Sequence, residues 1–333
     1  MPGLSISVVV VNFNGERFIR QCLDSALGQT LAPSEVVVVD NGSTDGSVPL
    51  IRAGFPGVEL IALDENEYFC RGANRGFATT SGSLVLLLNN DAVLEPDYLA
   101  EASKPLAADE RVGSVTGKIM RPDGATVDAA GQELSRSRKP LDRGYGEPDE
   151  GLYEEEGEVF GAGGVAPLLR RAMLDDVSLD GKVFDEGFVQ YYEDLDLFWR
   201  ARNFGWKAWY APRARALHHR GGVGQSEPAV REWVRKYALA NLPPELQAHL
   251  LKNRYATMAR NDRLGSWLLG LPWILAYELK VFAYLLLVRP RLLPRYLKGF
   301  GFLPTAFRQR RRLKEAARQR GIRRYGGRHR LPS

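Results

Sequence analysis

Four short apolar runs punctuate the first 90 residues, at 6–11, 35–39, 58–63 and 84–88. Runs without polar alternation predict strands covered on both faces, as in a parallel sheet packed between helices. Between them, residues 16–27 carry Phe18, Ile19, Cys22, Leu23, Ala26 and Leu27 at helical spacing. Shorter helical stretches follow at 47–53 and 72–80. Alternation at a pitch of about 25–30 residues predicts α/β architecture with right-handed crossovers. Open sheets of this kind bind ligands beyond the carboxyl ends of their strands. There the chain places polar residues: Asn12, Asp40, Asn66 and Asp91.

From 112 to about 157 the pattern loosens into turn-rich, charged sequence, which predicts a hairpin followed by a mobile loop. Regularity returns at 159–169, with a helical start at 170–175 and a helix over 188–203. A short strand at 207–210 continues at 214–218. Beyond Pro228 the chain reads as helical and increasingly basic. The expected organisation is a catalytic domain over 1–225 and a C-terminal helical region over 226–333.

Charge divides the same way. Residues 289–333 hold fifteen Lys/Arg against Glu315, a net +14, so the chain's +5 leaves −9 for residues 1–288. A basic tail on an acidic body points to a polyanionic surface touched by the tail. Two cysteines, Cys22 and Cys70, build no disulfide framework and fit a cytosolic protein.

Three segments carry candidate chemistry. VVVVDNGSTDGS brings Asp40 to a tight turn suited to close backbone approach, although such an Asp also caps helices. LLLNNDAVL delivers Asn89, Asn90 and Asp91 to the sheet edge, where a carboxylate can share a hard cation with phosphate oxygens. YYEDLDLFWR packs Glu193, Asp194 and Asp196 into four residues. Their mutual repulsion is useful only where cations or proton chemistry occupy the site, unless they serve the helix dipole. ALHHRGG adds His218 and His219 at a strand end.

In order and spacing, VVVVNFNGERFIRQCLDSALGQT, VVVVDNGSTDGS, ENEYFCRGANRGF, LLLNNDAVLEPDYL, GKVFDEGFVQYYEDLDLFWRARNFGW and YAPRARALHHRGG resemble glycosyltransferase family 2 with its GT-A fold. The resemblance covers about residues 5–225 and is greatest to its rhamnosyltransferase-like branch. It implies a nucleotide-sugar donor, with Asn12, Asn14, Asp40, Asn66, Gly72 and Asn74 around the nucleoside and Asn90 beside them. It implies Mg²⁺ or Mn²⁺ held by Asp91 and His218, with His219 as the alternative. Asp194 becomes the general base and Glu193 its neighbour that positions the acceptor. The implied reaction is inverting transfer from a dTDP- or UDP-sugar, with dTDP-rhamnose the named candidate. The acceptor is a glycan or polyprenol-linked hydroxyl in cell-surface polysaccharide assembly.

Other readings fit less well. A dinucleotide-binding dehydrogenase needs a glycine fingerprint after the first strand, where VNFNGERF has one glycine. A non-catalytic homologue would lack Asp91 or Asp194. Nucleic acid is disfavoured because the tail's basic residues, Tyr325 aside, are not interleaved with stacking aromatics. Residues 267–288 are long enough to span a bilayer but contain Pro272, Glu278 and Lys280. Their Trp and Tyr content predicts a helix lying in the interface, with the basic tail on anionic lipid, so that the enzyme sits peripherally on the inner face of the cell membrane.

Overall fold

A computed structural model describes residues 4–221 and 244–322. The strands are β1 (Ile6–Asn12), β2 (Glu35–Asp40), β3 (Glu59–Ala62), β4 (Leu84–Asn89), β5 (Ala92–Leu94), β6 (Val112–Met120), β7 (Val127–Ala129), β8 (Gln132–Leu134), β9 (Pro140–Asp142), β10 (Gly157–Val159), β11 (Leu168–Arg170) and β12 (Lys207–His218). The helices are α1 (Ile19–Leu27), α2 (Ser47–Gly54), α3 (Tyr68–Thr79), α4 (Tyr98–Ala108), α5 (Arg171–Val177), α6 (Glu193–Asn203), α7 (Pro244–Asn261), α8 (Leu264–Leu287), α9 (Leu293–Gly299) and α10 (Leu303–Gln319). The main sheet runs β10-β12-β6-β11-β4-β1-β2-β3, with β5 on β12 and β7 on β6.

Alternate side chains of the central strands feed two cores. Val8, Val10, Leu86 and Leu88 pack with α1, α2 and α4, while Val9, Val85 and Leu87 pack with α3, α5 and α6. Burial on both faces explains why these strands lack polar alternation. The expectation of a mostly parallel sheet holds for β3-β2-β1-β4. The other half is mixed, because β11 inserts antiparallel to both β4 and β6.

Two sequence expectations are corrected. The loosened stretch after 112 begins with a nine-residue strand, β6, buried along its whole length. Its polar residues disguised it: Lys118 is fully buried, pairs with Asp149 at 2.8 Å and also bonds Glu154. Those bonds tie the following segment to the sheet, so the expected loop is short paired strands, with the expected hairpin present as β6–β7 and a second one as β8–β9. The helix expected from 188 starts at Glu193. Before it lie a 3-10 turn, Glu186–Phe188, and the left-handed residues Val189, Tyr191 and Tyr192, with φ of 67°, 69° and 69°. Such angles cost free energy in β-branched and bulky residues, so surrounding contacts must hold them. Asn253 of α7 does so, its amide donating to the carbonyls of Phe188, Gln190 and Tyr191 at 2.8, 3.0 and 2.8 Å.

The C-terminal helices share the core beneath α6, contributing Ala256, Ala306, Leu313 and Ala317. Helix α8 packs through Gly270, Ile274, Val281 and Leu285 and leaves its other face open. Glu278 turns inward to Arg254 and Tyr255. The basic tail is partly tied back, through Arg312–Asp180 and Arg320–Asp176 at 2.6 and 2.9 Å. The 225/226 boundary, Pro228 and the arginines from Arg323 onward lie outside the described residues.

Candidate active site

Three neighbouring strand ends join in one polar row. The Asn12 amide of β1 donates to Asp40 of β2 at 2.7 Å and accepts from Asn90, just past β4, at 2.8 Å. Asp40 also accepts from the Ser43 N–H and hydroxyl at 2.9 and 2.6 Å, so it knits the turn together rather than capping α2. That helix start is held by Asp45, which accepts from the Ser47 N–H at 3.0 Å. Gly15 must be glycine here, because a Cβ would lie 2.1 Å from Asn12 Oδ1 and 2.4 Å from Asn90 Nδ2. Exposed Asn14, at φ 49°, accepts from the Thr44 N–H at 2.9 Å. Asn66 accepts from the Tyr68 N–H at 2.8 Å, and Gly72 lets α3 approach Val11 and Asn41. Asn74 differs from the rest of the expected nucleoside set: its amide pairs with the main chain of Phe184, donating and accepting at 2.9 Å.

Pairing of β5 with the end of β12, His218 opposite Ala92, carries the histidine to Asp91. His218 Nε2 lies 3.3 Å from Asp91 Oδ1, and Nδ1 lies 2.8 Å from Asp128 of β7. Asp128 is fully buried and also accepts from Arg220 at 2.6 Å; Asp91 Oδ2 accepts from the Gly221 N–H at 2.7 Å. Burial opposes charge on both members of the pair. The mutual hydrogen bonds and charges outweigh it, holding the Asp91 carboxyl below its usual range and pushing His218 up to about 9. The His219 ring instead packs against Phe18, ring centroids 5.2 Å apart, while its main-chain N–H donates to the Asp91 carbonyl at 3.0 Å, so it is the His218 imidazole that reaches the Asp91 carboxylate.

The three carboxylates entering α6 divide by environment. Asp196 is buried among cations and an amide: Arg200 at 2.9 Å, Arg260 at 2.6 Å and Asn261 at 2.8 Å. Its role is structural. Asp194 accepts from Gln132 of β8 and from the Leu195 N–H, both at 2.7 Å. Glu193 Oε2 is buried with no hydrogen-bond partner among the described residues. Both residues keep some surface at the cleft, yet the protein around them solvates charge poorly. Burial, then the charge of Asp194, pushes Glu193 up to about 8; burial likewise raises Asp194, against the pull of the Leu195 N–H.

Sequence reasoning missed Asp128, Gln132, Asn253 and Arg260. The first two sit four residues apart in TVDAAGQ, within the stretch read as hairpin and loop, and nothing local distinguishes them from turn residues.

A doubly covered sheet with carboxylates, amides and a histidine gathered at its carboxyl edge defines a GT-A glycosyltransferase. The sequence matches the model of glycosyl transferase family 2 over residues 7–177, and the chain belongs to that family. It is an enzyme that transfers sugar from a nucleotide-sugar donor. It is 26% identical over 305 residues, 84% of this chain and 92% of the relative, to the N-acetylglucosaminyl-diphospho-decaprenol L-rhamnosyltransferase of Mycobacterium tuberculosis. Among solved structures it resembles S. aureus TarS 1-349 in complex with UDP, with TM-score 0.58, 16% identity and coverage of 95% and 92% of the two chains. The Pyrobaculum calidifontis mannosyltransferase in complex with GDP-Man and Mn²⁺ matches with TM-score 0.51, 19% identity and coverage of 96% and 88%.

The raised pKa of Glu193 makes the stability of the fold depend on pH. Below the ordinary carboxylate range Glu193 is protonated folded or unfolded and costs nothing. As pH rises towards about 8, the unfolded chain ionises first and the folded state loses stability; above that value the loss is complete. Glu193→Gln should therefore melt higher than the wild type near pH 9, with the gap closing towards about pH 5. Thermal melts across that range check it, and a pH-independent gap refutes it.

Proposed function

We propose that this enzyme is an inverting, divalent-metal-dependent transferase that moves a sugar from a dTDP- or UDP-sugar, dTDP-rhamnose being the named candidate, to a hydroxyl of a lipid-linked glycan. One observation carries the reading: a single segment, 127–142, bonds His218 through Asp128 and Asp194 through Gln132. On this reading one stretch of chain, β7 to β9, supports both the phosphate end and the acceptor end of the site. The M. tuberculosis relative, named for a diphospho-decaprenol acceptor and rhamnosyl transfer, supports the substrate class.

Asp91 and His218 suit Mg²⁺ or Mn²⁺, since one carboxylate and one imidazole leave room for diphosphate oxygens and water. The bound ion would supply positive charge to the departing nucleoside diphosphate. Asp128 accepts from His218 Nδ1 and so leaves Nε2 as the ligating nitrogen, the familiar carboxylate–histidine arrangement behind a metal. Asn12, Asn14, Asp40, Asn66, Gly72 and Asn90 form the nucleoside side, with Asn74 holding the 184–186 segment. Asp194 removes the acceptor proton as its oxygen attacks the anomeric carbon from the face opposite the leaving group. Glu193, kept protonated by burial and by its neighbour, donates a hydrogen bond that orients the acceptor.

Asp128→Asn should weaken Mn²⁺ binding by about 10–100-fold without unfolding the protein. Mn²⁺ titration followed by electron paramagnetic resonance measures this, and unchanged affinity removes Asp128 from the role. Activity should vanish in EDTA.

Asp194→Asn should keep donor affinity while turnover falls by roughly 10²–10⁴-fold. For the wild type, kcat should rise with pH through a limb above the usual carboxylate range, because the raised base must lose its proton to act. Retention at the anomeric carbon, or a collapse of donor affinity with turnover intact, contradicts the scheme.

The same reading places the enzyme on an anionic bilayer at the cytoplasmic face. Among the described residues α8 is the one helix long and apolar enough to cross a membrane, and little of it is buried. Its open face is leucine-rich, with Leu269 at 78% and Leu287 at 83% exposure. Of the two charges expected to oppose insertion, Glu278 faces the protein and Lys280 stays exposed. Cations border that face: Arg136 stacks on Trp273 at 4.8 Å and Lys139 on Tyr277 at 5.4 Å. An apolar face rimmed by cations suits a helix lying in the interface of anionic lipid. Leu275→Gln with Leu279→Gln should abolish flotation with phosphatidylglycerol vesicles, and wild-type flotation should weaken with salt. Wild-type protein that stays off such vesicles at low salt overturns the proposal.

A further inference from the structure

Between α7 and α9 lies a cavity of about 440 Å³, lined by Ala248, His249, Lys252, Arg295, Lys298 and Gly299. Three cations line it and no acid does. Arg295 and Lys298 form no hydrogen bond or ion pair among the described residues. Lys252 is part-buried; its Nζ donates to the Gly187 carbonyl and lies 3.1 Å from His249 Nδ1. At Gly299 helix α9 comes close to α7, where a Cβ would sit 3.2 Å from Lys252 Cβ.

Position adds chemistry to charge. Gly187 belongs to the 3-10 turn before the left-handed loop that leads into Glu193 and Asp194, so Lys252 ties the cavity wall to the acceptor side of the site. On the outer side the same helix α9 exposes Leu297, at 56%, close in sequence to the open face of α8. A ligand that satisfies both surroundings carries several negative charges on a small head and an apolar chain behind it.

We propose that this cavity binds the diphosphate of a lipid-linked acceptor, its chain running along the apolar surface of α8 and α9. The proposal rests on the lipid-linked reading of the acceptor and adds where the acceptor's charge is held. Arg295 and Lys298 supply free donors to phosphate oxygens, and Lys252 supplies the inner wall. Phosphate on a bilayer headgroup shares this chemistry, so the test separates the two sources.

The experiment measures calorimetric binding of inorganic pyrophosphate and of farnesyl diphosphate to the full chain in EDTA, with the donor site filled by nucleoside diphosphate. Arg295→Gln with Lys298→Gln should weaken both by about tenfold or more, since each lost contact is a charge-assisted hydrogen bond. Flotation of the double variant with phosphatidylglycerol vesicles should persist, because the leucine face remains. Unchanged pyrophosphate binding overturns the proposal. So does lost flotation with unchanged pyrophosphate binding, which would assign these cations to bilayer headgroups. Donor hydrolysis, which needs no acceptor, reads the transferase assignment separately, so failure of the cavity and failure of that assignment are distinguishable.

Discussion

The organisation of the active site depends on the burial of one carboxylate that does no chemistry. Asp196 lies 1% exposed, and an isolated charge there would be prohibitively costly. Two guanidiniums and an amide surround it, and Arg260 reaches on to Asp185. These bonds join α6, α7 and the segment before the left-handed loop in one network. Removing one partner from such a buried set costs about 3–5 kcal/mol, because the remaining charge has nowhere to go. With the helix start fixed from behind, Glu193 and Asp194 are left without cationic partners of their own among the described residues.

Proton affinity follows from that asymmetry. Three carboxylates within four residues meet three environments: Asp196 among cations, Asp194 against an amide and a helix N–H, and Glu193 with one oxygen unpartnered among the described residues. Solvation and partners pull their proton affinities apart, which is how neighbouring groups of one kind come to serve different tasks. On the opposite side, His218 and Asp91 take opposite charges and stabilise one another.

Much of this was legible in the sequence. Doubly covered strands declared themselves because burial on both faces removes polar alternation, and β1, β2 and β4 emerged within a residue of the expected ends. Asp91 and the Glu193–Asp194 pair stood out as candidates because strand ends and clustered like charges are unusual enough to need explaining, while His218 was singled out through the family resemblance. Strand β6 was not, since its Lys118, Ser114 and Thr116 read as surface until the ion pairs and neighbours that bury them are seen. The start of α6 was misplaced because left-handed Val189, Tyr191 and Tyr192 are sustained by Asn253, more than sixty residues away. Asp128 and Gln132 act through partners 90 and 62 residues distant, and no local pattern encodes such distances.

Arg254 adds a constraint of another kind. Its guanidinium holds Glu278 of α8 and the Ser137 carbonyl at the same time, and Arg138 from the same hairpin grips Asp262 and Ser266 at the entrance to α8. The leucine-faced helix and the segment carrying Asp128 and Gln132 are thus bolted to one plate. A chimaera that exchanges residues 127–142 with those of a relative to alter specificity must bring compatible residues at 254, 262 and 278. Hairpin and helix form one module for engineering, although more than a hundred residues separate them along the chain.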